Sequence, residues 1–350
     1  MFSITNKLDM IPKCPKYIRR NPPIGPDRPW LAPLAGFSDL PFRLLCREMG
    51  CAVACTEMIS AKGLMYKSPG TMDLLSTCPE DTPLVVQLFG SEAEVIADSL
   101  SWLVEQGFMY FDLNAGCPVK KVVKTGAGAG LLRDWDNLLR ILSVMVQGAG
   151  PGRVGVKLRA GWGSKQDTLG RIRDLDVLDL GWVSLHPRTV PQGYAGRADW
   201  DVLSAASREM NTPVLASGDL FTAGDGVRCM QHTGASGLMF ARGALADPGV
   251  FATYLQIMRG DEDGVYGSQE GKQRALNMAR RHIALIRTYQ KGSRELLRMR
   301  TIIPRYLRGF QGMKNIRKRV VACTTWSELM DCLDEVEAGS APNEGSLRMN

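Results

Sequence analysis

From Trp30 onward the chain alternates a short apolar run with a longer amphipathic stretch, eight times over, and that rhythm limits the folds open to it. The runs are WLAPLAG (30–36), AVACTEM (52–58), LVVQLFG (84–90), YFDLNAG (110–116), VGVKLRAG (154–161), WVSLHPRT (182–189), PVLASGD (213–219) and GLMFARG (237–243). Between them stand stretches with apolar residues at helical spacing, such as LPFRLLCREM, SEAEVIADSLSWLVEQ, WDNLLRILSVMVQ and TAGDGVRCMQ. Short buried runs alternating with helices make βαβ units and a parallel sheet. Eight such units in about 215 residues predict an α/β fold, a (β/α)8 TIM barrel. A doubly wound eight-stranded sheet is the alternative, weakened because no G-x-G-x-x-G follows the first run.

After Leu255 the strand signals stop, and MRGDEDGVYGSQEG (258–271) reads as a linker. The expected organisation is a proline-punctuated, irregular extension over 1–28, the barrel over 29–257, a smaller all-α helical domain over 258–337 and a disordered tail over 338–350. Charge marks the same division. The net charge is +7, but residues 268–322 hold fifteen Lys and Arg against Glu270 and Glu295, a local +13 that leaves −6 for the rest. A neutral-to-acidic body carrying a compact basic segment is the footprint of a polyanion binder, since phosphate contacts gain affinity by releasing counterions. The plainer alternative is an Arg-rich solvated helix face. Ala275, Met278, Ala279, His282, Ile283 and Ile286 fall at helical spacing, so the segment is expected to fold as a helical module.

With 45% hydrophobic and 23% charged residues, fibrous and disordered classes fit poorly. No stretch nears the roughly 18 consecutive apolar residues of a membrane helix, and the first twenty residues lack the apolar core of a secretory signal. Nine cysteines without a CxxC pair, beside three histidines, argue against a disulfide scaffold or a zinc site. Cys46, Cys51 and Cys55 read as buried apolar thiols. A cytoplasmic protein without a membrane or an obligate protein partner is expected.

Side chains alternate faces along a strand. If Val154, Val156 and Leu158 face the helices, Lys157 and Arg159 point into the barrel. The same parity turns Gln87, Asp112, Asn114, Ser184, His186 and Arg188 inward, and puts Ser217 and Asp219 on one face. These groups cluster near the carboxyl ends of their strands, where barrel enzymes do their chemistry. Buried cations need anionic partners, so Lys157, Arg159 and Arg188 call for bound negative charge or for an internal network with Asp112 and Asp219. LASGD (215–219) and FARGA (240–244) place small residues and Arg242 at the last two strand ends, where barrels bind phosphate. In NAGCP (114–118), Gly116 and Pro118 fix the backbone around Cys117 at the rim.

These residues resemble the tRNA-dihydrouridine synthases, in the bacterial branch typified by dihydrouridine synthase B. The resemblance runs through APLAGFSD (32–39), TEM (56–58), VQLFG (86–90), DLNAGCPVKKVVKTGAGAGLL (112–132), VKLRAGW (156–162), HPRTVPQGYAG (186–196), ASGD (216–219), FARGAL (240–245) and MRTIIPRYLRGFQG (299–312). It implies a flavin mononucleotide (FMN)-containing barrel with a helical tRNA-binding domain. NADPH, or NADH, would reduce FMN, which would pass hydride to C6 of a tRNA uracil while a general acid protonates C5. Cys117 matches the proton donor; a free thiol, with a pKa near ~8.5, is mostly protonated at neutral pH. Lys157 matches the ligand of the flavin N1/O2 edge. Gln87 and His186 match residues that bond or flank the ring, and Pro33, Leu34 and Ala35 the backbone lying against it. Ser217, Gly218, Asp219, Ala241 and Arg242 match the ribityl-phosphate cradle. Asn114, Arg159 and Tyr194 resemble the residues that hold the uracil, and Arg188 is grouped with them as a substrate contact. The target base would leave its stack to reach the barrel mouth. The tRNA is expected along 268–322 and at the mouth, where Lys120, Lys121 and Lys124 would draw the backbone in.

The chain departs from the family pattern at Ser217, where Asn is frequent, and at Pro187 and Ala241, where Gly is frequent. Other readings are a flavin barrel oxidoreductase acting on a free small molecule, and an inactive barrel that binds RNA.

Overall fold

The computed structural model describes residues 21–261, 269–290, 295–310 and 313–338. Nine parallel strands form one sheet: β1 (Trp30–Leu31), β2 (Val53–Cys55), β3 (Ile59–Ser60), β4 (Leu84–Phe89), β5 (Tyr110–Ala115), β6 (Val154–Gly161), β7 (Trp182–Thr189), β8 (Val214–Ala216) and β9 (Gly237–Phe240). Each of the eight apolar runs supplies one strand of the barrel. The barrel closes because β1 pairs with both β2 and β9, and β2 pairs with β4. The two-residue β3 is an addition along β4. Closure leaves no unpaired strand edge in the ring.

The inward parity explains the core. Trp30, Val53, Val85, Tyr110, Trp182, Leu215 and Met239 fill the barrel interior. The Trp30 and Trp182 rings meet edge-on at 5.2 Å, a favoured aromatic geometry. Gly155, opposite Trp182 in the ladder, makes that packing possible: a Cβ there would stand 2.0 Å from the indole. Above this apolar layer the inward positions turn polar.

The intervening stretches are helices with one apolar face, and several open on a capping side chain. Leu40–Glu48 opens on the Asp39 side chain, which accepts from the Phe42 N–H. Ala223–Thr233 opens on a reciprocal Thr222–Asp225 box and ends at Gly234, in the left-handed region. Several strands stop short of their apolar runs, β2 among them, which ends at Cys55. β1 ends at Leu31, β8 at Ala216 and β9 at Phe240, so residues 32–36 and 217–219 turn across the mouth and Arg242–Ala246 forms a short helix instead of extending the ladder. Gly218 (φ +120°) and Asp219 (φ +55°) make one of those turns. Ser217 and Asp219 therefore share a loop, not a strand face.

Residues 21–28 are packed, not loose: the Pro23 carbonyl accepts from Trp30 Nε1 at 2.9 Å and that of Pro26 from the Tyr254 hydroxyl at 2.7 Å. The expected linker is shorter at its start. The helix Val250–Arg259 runs into it and ends at Gly260 (φ +86°); residues 262–268 lie outside the described residues, as do 1–20 and the expected tail from 339 on. The chain divides into a barrel unit, ending at Asp261, and a second unit made of 245–248 and the residues after 261. The second unit holds helices Gln269–Tyr289, Glu295–Tyr306, Met313–Ala322 and Trp326–Ala338. They pack in sequence, with the last returning against the first, around Leu276, Met299, Ile303, Val320, Leu329 and Leu333. No described helix is long and apolar enough to cross a membrane.

Candidate active site

At the carboxyl ends of the strands a cavity opens, lined by Pro33, Leu34, Lys157, His186, Ser217, Gly218, Asp219, Ala241 and Arg242, with Tyr194 and Phe221 at its lip. The space open to the centre of a water molecule is about 100 Å3. A wider cavity of about 840 Å3 lies at the opposite end of the barrel, along residues 21–28 with Pro213 and Ser236, away from the end where barrels carry chemistry.

Lys157 is the distinctive group. Its side chain is half-buried and lines the cavity. Among the described residues no hydrogen bond or ion pair reaches its ammonium. Enclosure lowers its pKa to about 8, opposed by the negative charge of Asp112, so it is mostly charged at neutral pH. An unpaired, poorly solvated cation is unfavourable and marks a place for an anionic partner.

The three arginines differ from Lys157, and from expectation, because protein groups already partner them. Arg188 is 1% exposed and spends all five N–H groups. It forms a two-pronged pair with Asp219, at 2.8 Å on each oxygen, and donates to the Ala195 and Gly196 carbonyls and to His186 Nε2 at 3.3 Å. Arg159 donates to the carbonyls of Gly116, Thr189 and Gly193. Arg242 pairs with Asp219 at 2.9 Å and lies 4.8 Å from the Tyr194 ring and 4.6 Å from that of Phe221. The internal network with Asp219 thus forms, and Lys157 alone of the inward cations is left over. Burial acts to raise the Asp219 pKa, but Arg188, the Ala198 N–H and Arg242 hold it below the usual carboxylate range.

A guanidinium has no acceptor atom, so the Arg188 contact makes His186 Nε2 the acceptor and places the ring proton on Nδ1. Burial, and then the surrounding cations, push the His186 pKa down to about 2. His186 is therefore a neutral, fixed wall of the cavity. Gly218 is packed against it: a Cβ there would lie 2.7 Å from His186 Cδ2. Likewise a Cβ on Gly243 would lie 2.5 Å from the Leu220 carbonyl. These close backbone approaches build a loop cradle beside Arg242.

Cys117 does not line this cavity; it lies three residues past Asn114, whose ladder partner is Lys157. It is half-buried, whereas the other described cysteines are buried. Its N–H donates to Asn114 Oδ1 at 2.9 Å, and its carbonyl accepts from the Ala129 N–H at 3.0 Å. Gly128, with φ +58°, permits that approach, since a Cβ there would lie 2.8 Å from the Cys117 oxygen. Asn114 also donates to Gln87 Oε1 at 2.9 Å, so both ends of its amide serve the thiol loop. Gln87 is fully buried behind it and does not line the cavity; Ala35 is exposed at the rim. Tyr194 is 63% exposed, its ring 5.7 Å from the Arg159 guanidinium and 6.1 Å from the His186 ring. Ala32, Leu220, Phe221 and Met239, outside the residues expected from sequence, complete the lining; Ala32 opens the APLAGFSD motif, and Leu220 and Phe221 directly follow ASGD.

A closed parallel barrel whose polar side chains converge on one mouth defines the class, a TIM-barrel protein with its site at the strand carboxyl ends. Histamine dehydrogenase from Rhizobium sp. 4-9 shares this fold, with a TM-score of 0.53 and 11% identity over 80% of this chain and 51% of that one. The particular family follows from sequence: the family model Dihydrouridine synthase (Dus) matches residues 30–340. A probable tRNA-dihydrouridine synthase of Treponema pallidum is 32% identical over 85% of this chain and 90% of its own length. A tRNA-dihydrouridine synthase B of Xanthomonas axonopodis is 32% identical over 65% of this chain and 69% of its own. The chain belongs to the dihydrouridine synthase family.

Proposed function

We propose that this chain is a tRNA-dihydrouridine synthase that reduces the C5=C6 bond of uridines in tRNA, using FMN and NADPH or NADH, with Cys117 as proton donor. The observation that carries the reading is Lys157, a charged group with no partner among the described residues, in a cavity whose other cation, Arg242, is paired with Asp219. That cavity fits an anionic, flat, phosphorylated ligand: Lys157 offers the charge, Pro33 and Leu34 one wall, and His186 another. Ser217, Gly218, Asp219, Ala241 and Arg242 offer the cradle. The enclosed space is below the roughly 300 Å3 at which cofactor pockets begin, so FMN must occupy the open mouth as well.

When bound, the flavin supplies hydride to C6 of the uracil. The chain's own residues do the rest. Asn114 and Arg159 hold the Cys117 loop by its N–H groups and by the Gly116 carbonyl. Cys117 Sγ–H gives its proton to C5, and the thiolate left behind regains one from water. Tyr194 offers an exposed face against which a base that has left its stack can lie, offsetting the few kcal/mol of unstacking. Arg188 serves this pocket from behind, by fixing His186 and Asp219.

The second unit would supply the grip on the RNA. A groove of about 550 Å3 between its helices is lined by Arg305, Arg308, Lys314, Arg317 and Lys318, with no acidic residue among them. Five exposed or half-exposed cations without acids suit a phosphate backbone. On the barrel rim Lys120, Lys121 and Lys124 are exposed as well. The test is direct. Purified protein should take up FMN with a 1:1 stoichiometry and oxidise NADPH faster when tRNA lacking dihydrouridine is added; protein that takes up no flavin would refute the reading.

A further inference from the structure

Asp112 is a buried carboxyl group, 2% exposed, that no step above employs. One of its oxygens accepts from Trp182 Nε1 at 3.0 Å and the other from Gln87 Nε2 at 2.7 Å. Gln87 Oε1 accepts from Asn114 Nδ2 at 2.9 Å. Asn114 Oδ1 then accepts from the backbone N–H of Cys117 at 2.9 Å and of Gly116 at 3.2 Å. The four groups form one continuous chain from the barrel interior to the thiol loop.

The chain has a direction, and Asp112 sets it. A side-chain amide has one donor end and one acceptor end, whereas an ionised carboxylate only accepts. Facing a carboxylate, Gln87 must turn its NH2 inward and so present its oxygen to Asn114. Asn114 must then turn its NH2 to Gln87 and present its oxygen to the two N–H groups of the loop. With a donor at the Asp112 position the order can reverse, and the Asn114 NH2 would then face the Cys117 N–H, donor against donor. We propose that Asp112 is a positioning residue, acting through Gln87 and Asn114 to hold the loop that carries Cys117. Its importance for turnover rests on the role given to Cys117 above; its hold on the loop does not.

The chain is open to titration. Burial raises the Asp112 pKa to about 6, against the hydrogen bonds from Gln87 and Trp182 and the charge of Lys157. The titratable groups that face it are Lys157 from β6 and Cys55 from β2. Above about pH 6 the carboxylate accepts from both neighbours. Below it the proton makes one oxygen a donor, and the direction is lost.

Hydrogen exchange of the full-length, flavin-loaded protein reads the last link, because Pro118 has no N–H and the segment 115–117 contains the two amides in question. Asp112→Asn keeps the shape but offers one acceptor where two donors arrive. At pH 7.5 it should speed exchange of the Gly116 and Cys117 amides about five- to tenfold, the scale of one lost hydrogen bond. Its kcat, measured at saturating FMN because Asp112 also supports the charge of Lys157, should fall with KM for tRNA unchanged. Exchange equal to wild type would overturn the proposal. Wild-type protein provides a second measurement that needs no variant. Corrected for intrinsic exchange, protection of these amides should drop between pH 7.5 and pH 5 with a midpoint near 6, and a flat profile would overturn it. The two readings fail separately: full turnover in Cys117→Ala removes the acid role and leaves the exchange result standing, whereas normal exchange in Asp112→Asn beside an inactive Cys117→Ala removes only the relay.

Discussion

The barrel mouth and the groove of the helical unit both gather positive charge, and they do so in opposite ways. In the mouth, Arg159 and Arg188 are buried and each guanidinium is tied to several oxygens, which leaves Lys157 as the one uncommitted charge of that layer. In the groove, five cations stand at or near the surface with no acid along its walls. Packed charge with fixed partners specifies a shape, and its interactions are weakly screened; exposed charge attracts any phosphate chain and weakens with salt. Under the proposed function the first would hold a single flat ligand in register and the second a polymer.

Altering the mouth should change chemistry without changing grip. The largest effect is expected for Cys117→Ala: loss of about 10²–10⁴ in the single-turnover rate of uridine reduction, the range of a general acid, with flavin content and tRNA affinity retained. A fall in tRNA affinity of the same size would blur the contrast between the two regions. Altering the groove should do the reverse. Arg305→Glu with Lys314→Glu and Lys318→Glu should weaken tRNA binding about 10- to 100-fold and flatten the salt dependence of log Kd by about two to three units of slope. Flavin content should stay at the wild-type level. A smaller effect is expected for Lys157→Met, which removes the uncommitted charge: FMN should dissociate about tenfold more readily. Its tRNA affinity at 150 mM salt should match wild type in a gel-shift titration.

The barrel was legible because closure leaves so little freedom. Eight apolar runs became eight strands of one ring, and the period of two placed Gln87, Asp112, Asn114, Lys157, Arg159, Ser184 and His186 inward without any knowledge of contacts. What those side chains then do was not legible. Parity turns Arg159 and Arg188 toward the interior, but Arg159 is held by the carbonyls of Gly116, Thr189 and Gly193, and Arg188 by those of Ala195 and Gly196 as well as by Asp219. The place of those carbonyls depends on loop geometry, which no periodicity encodes. Of the two readings of the inward cations, the internal network holds for Arg188, which pairs with Asp219, while Arg159 is held by loop carbonyls and Lys157 has no partner among the described residues. Strand ends were misplaced for a related reason. Residues 217–219 and 241–243 carry strand-like composition, but the first turn at Gly218 and Asp219 and the second run into the short helix Arg242–Ala246, and by leaving the ladder Ser217, Gly218, Asp219, Ala241 and Arg242 line the cavity. Residues 21–28 read as irregular because prolines supply no pattern, yet their carbonyls accept from Trp30 and Tyr254.

The account's central claim is that the cavity and the half-buried thiol together reduce uridine in tRNA. The most direct measurement is the dihydrouridine content, position by position, of tRNA from cells lacking this chain, before and after incubation with the purified protein, FMN and NADPH. The account predicts that dihydrouridine appears at defined positions with wild type and stays at the starting level with Cys117→Ala. No gain with flavin-loaded wild-type protein, or an equal gain with both proteins, would contradict it.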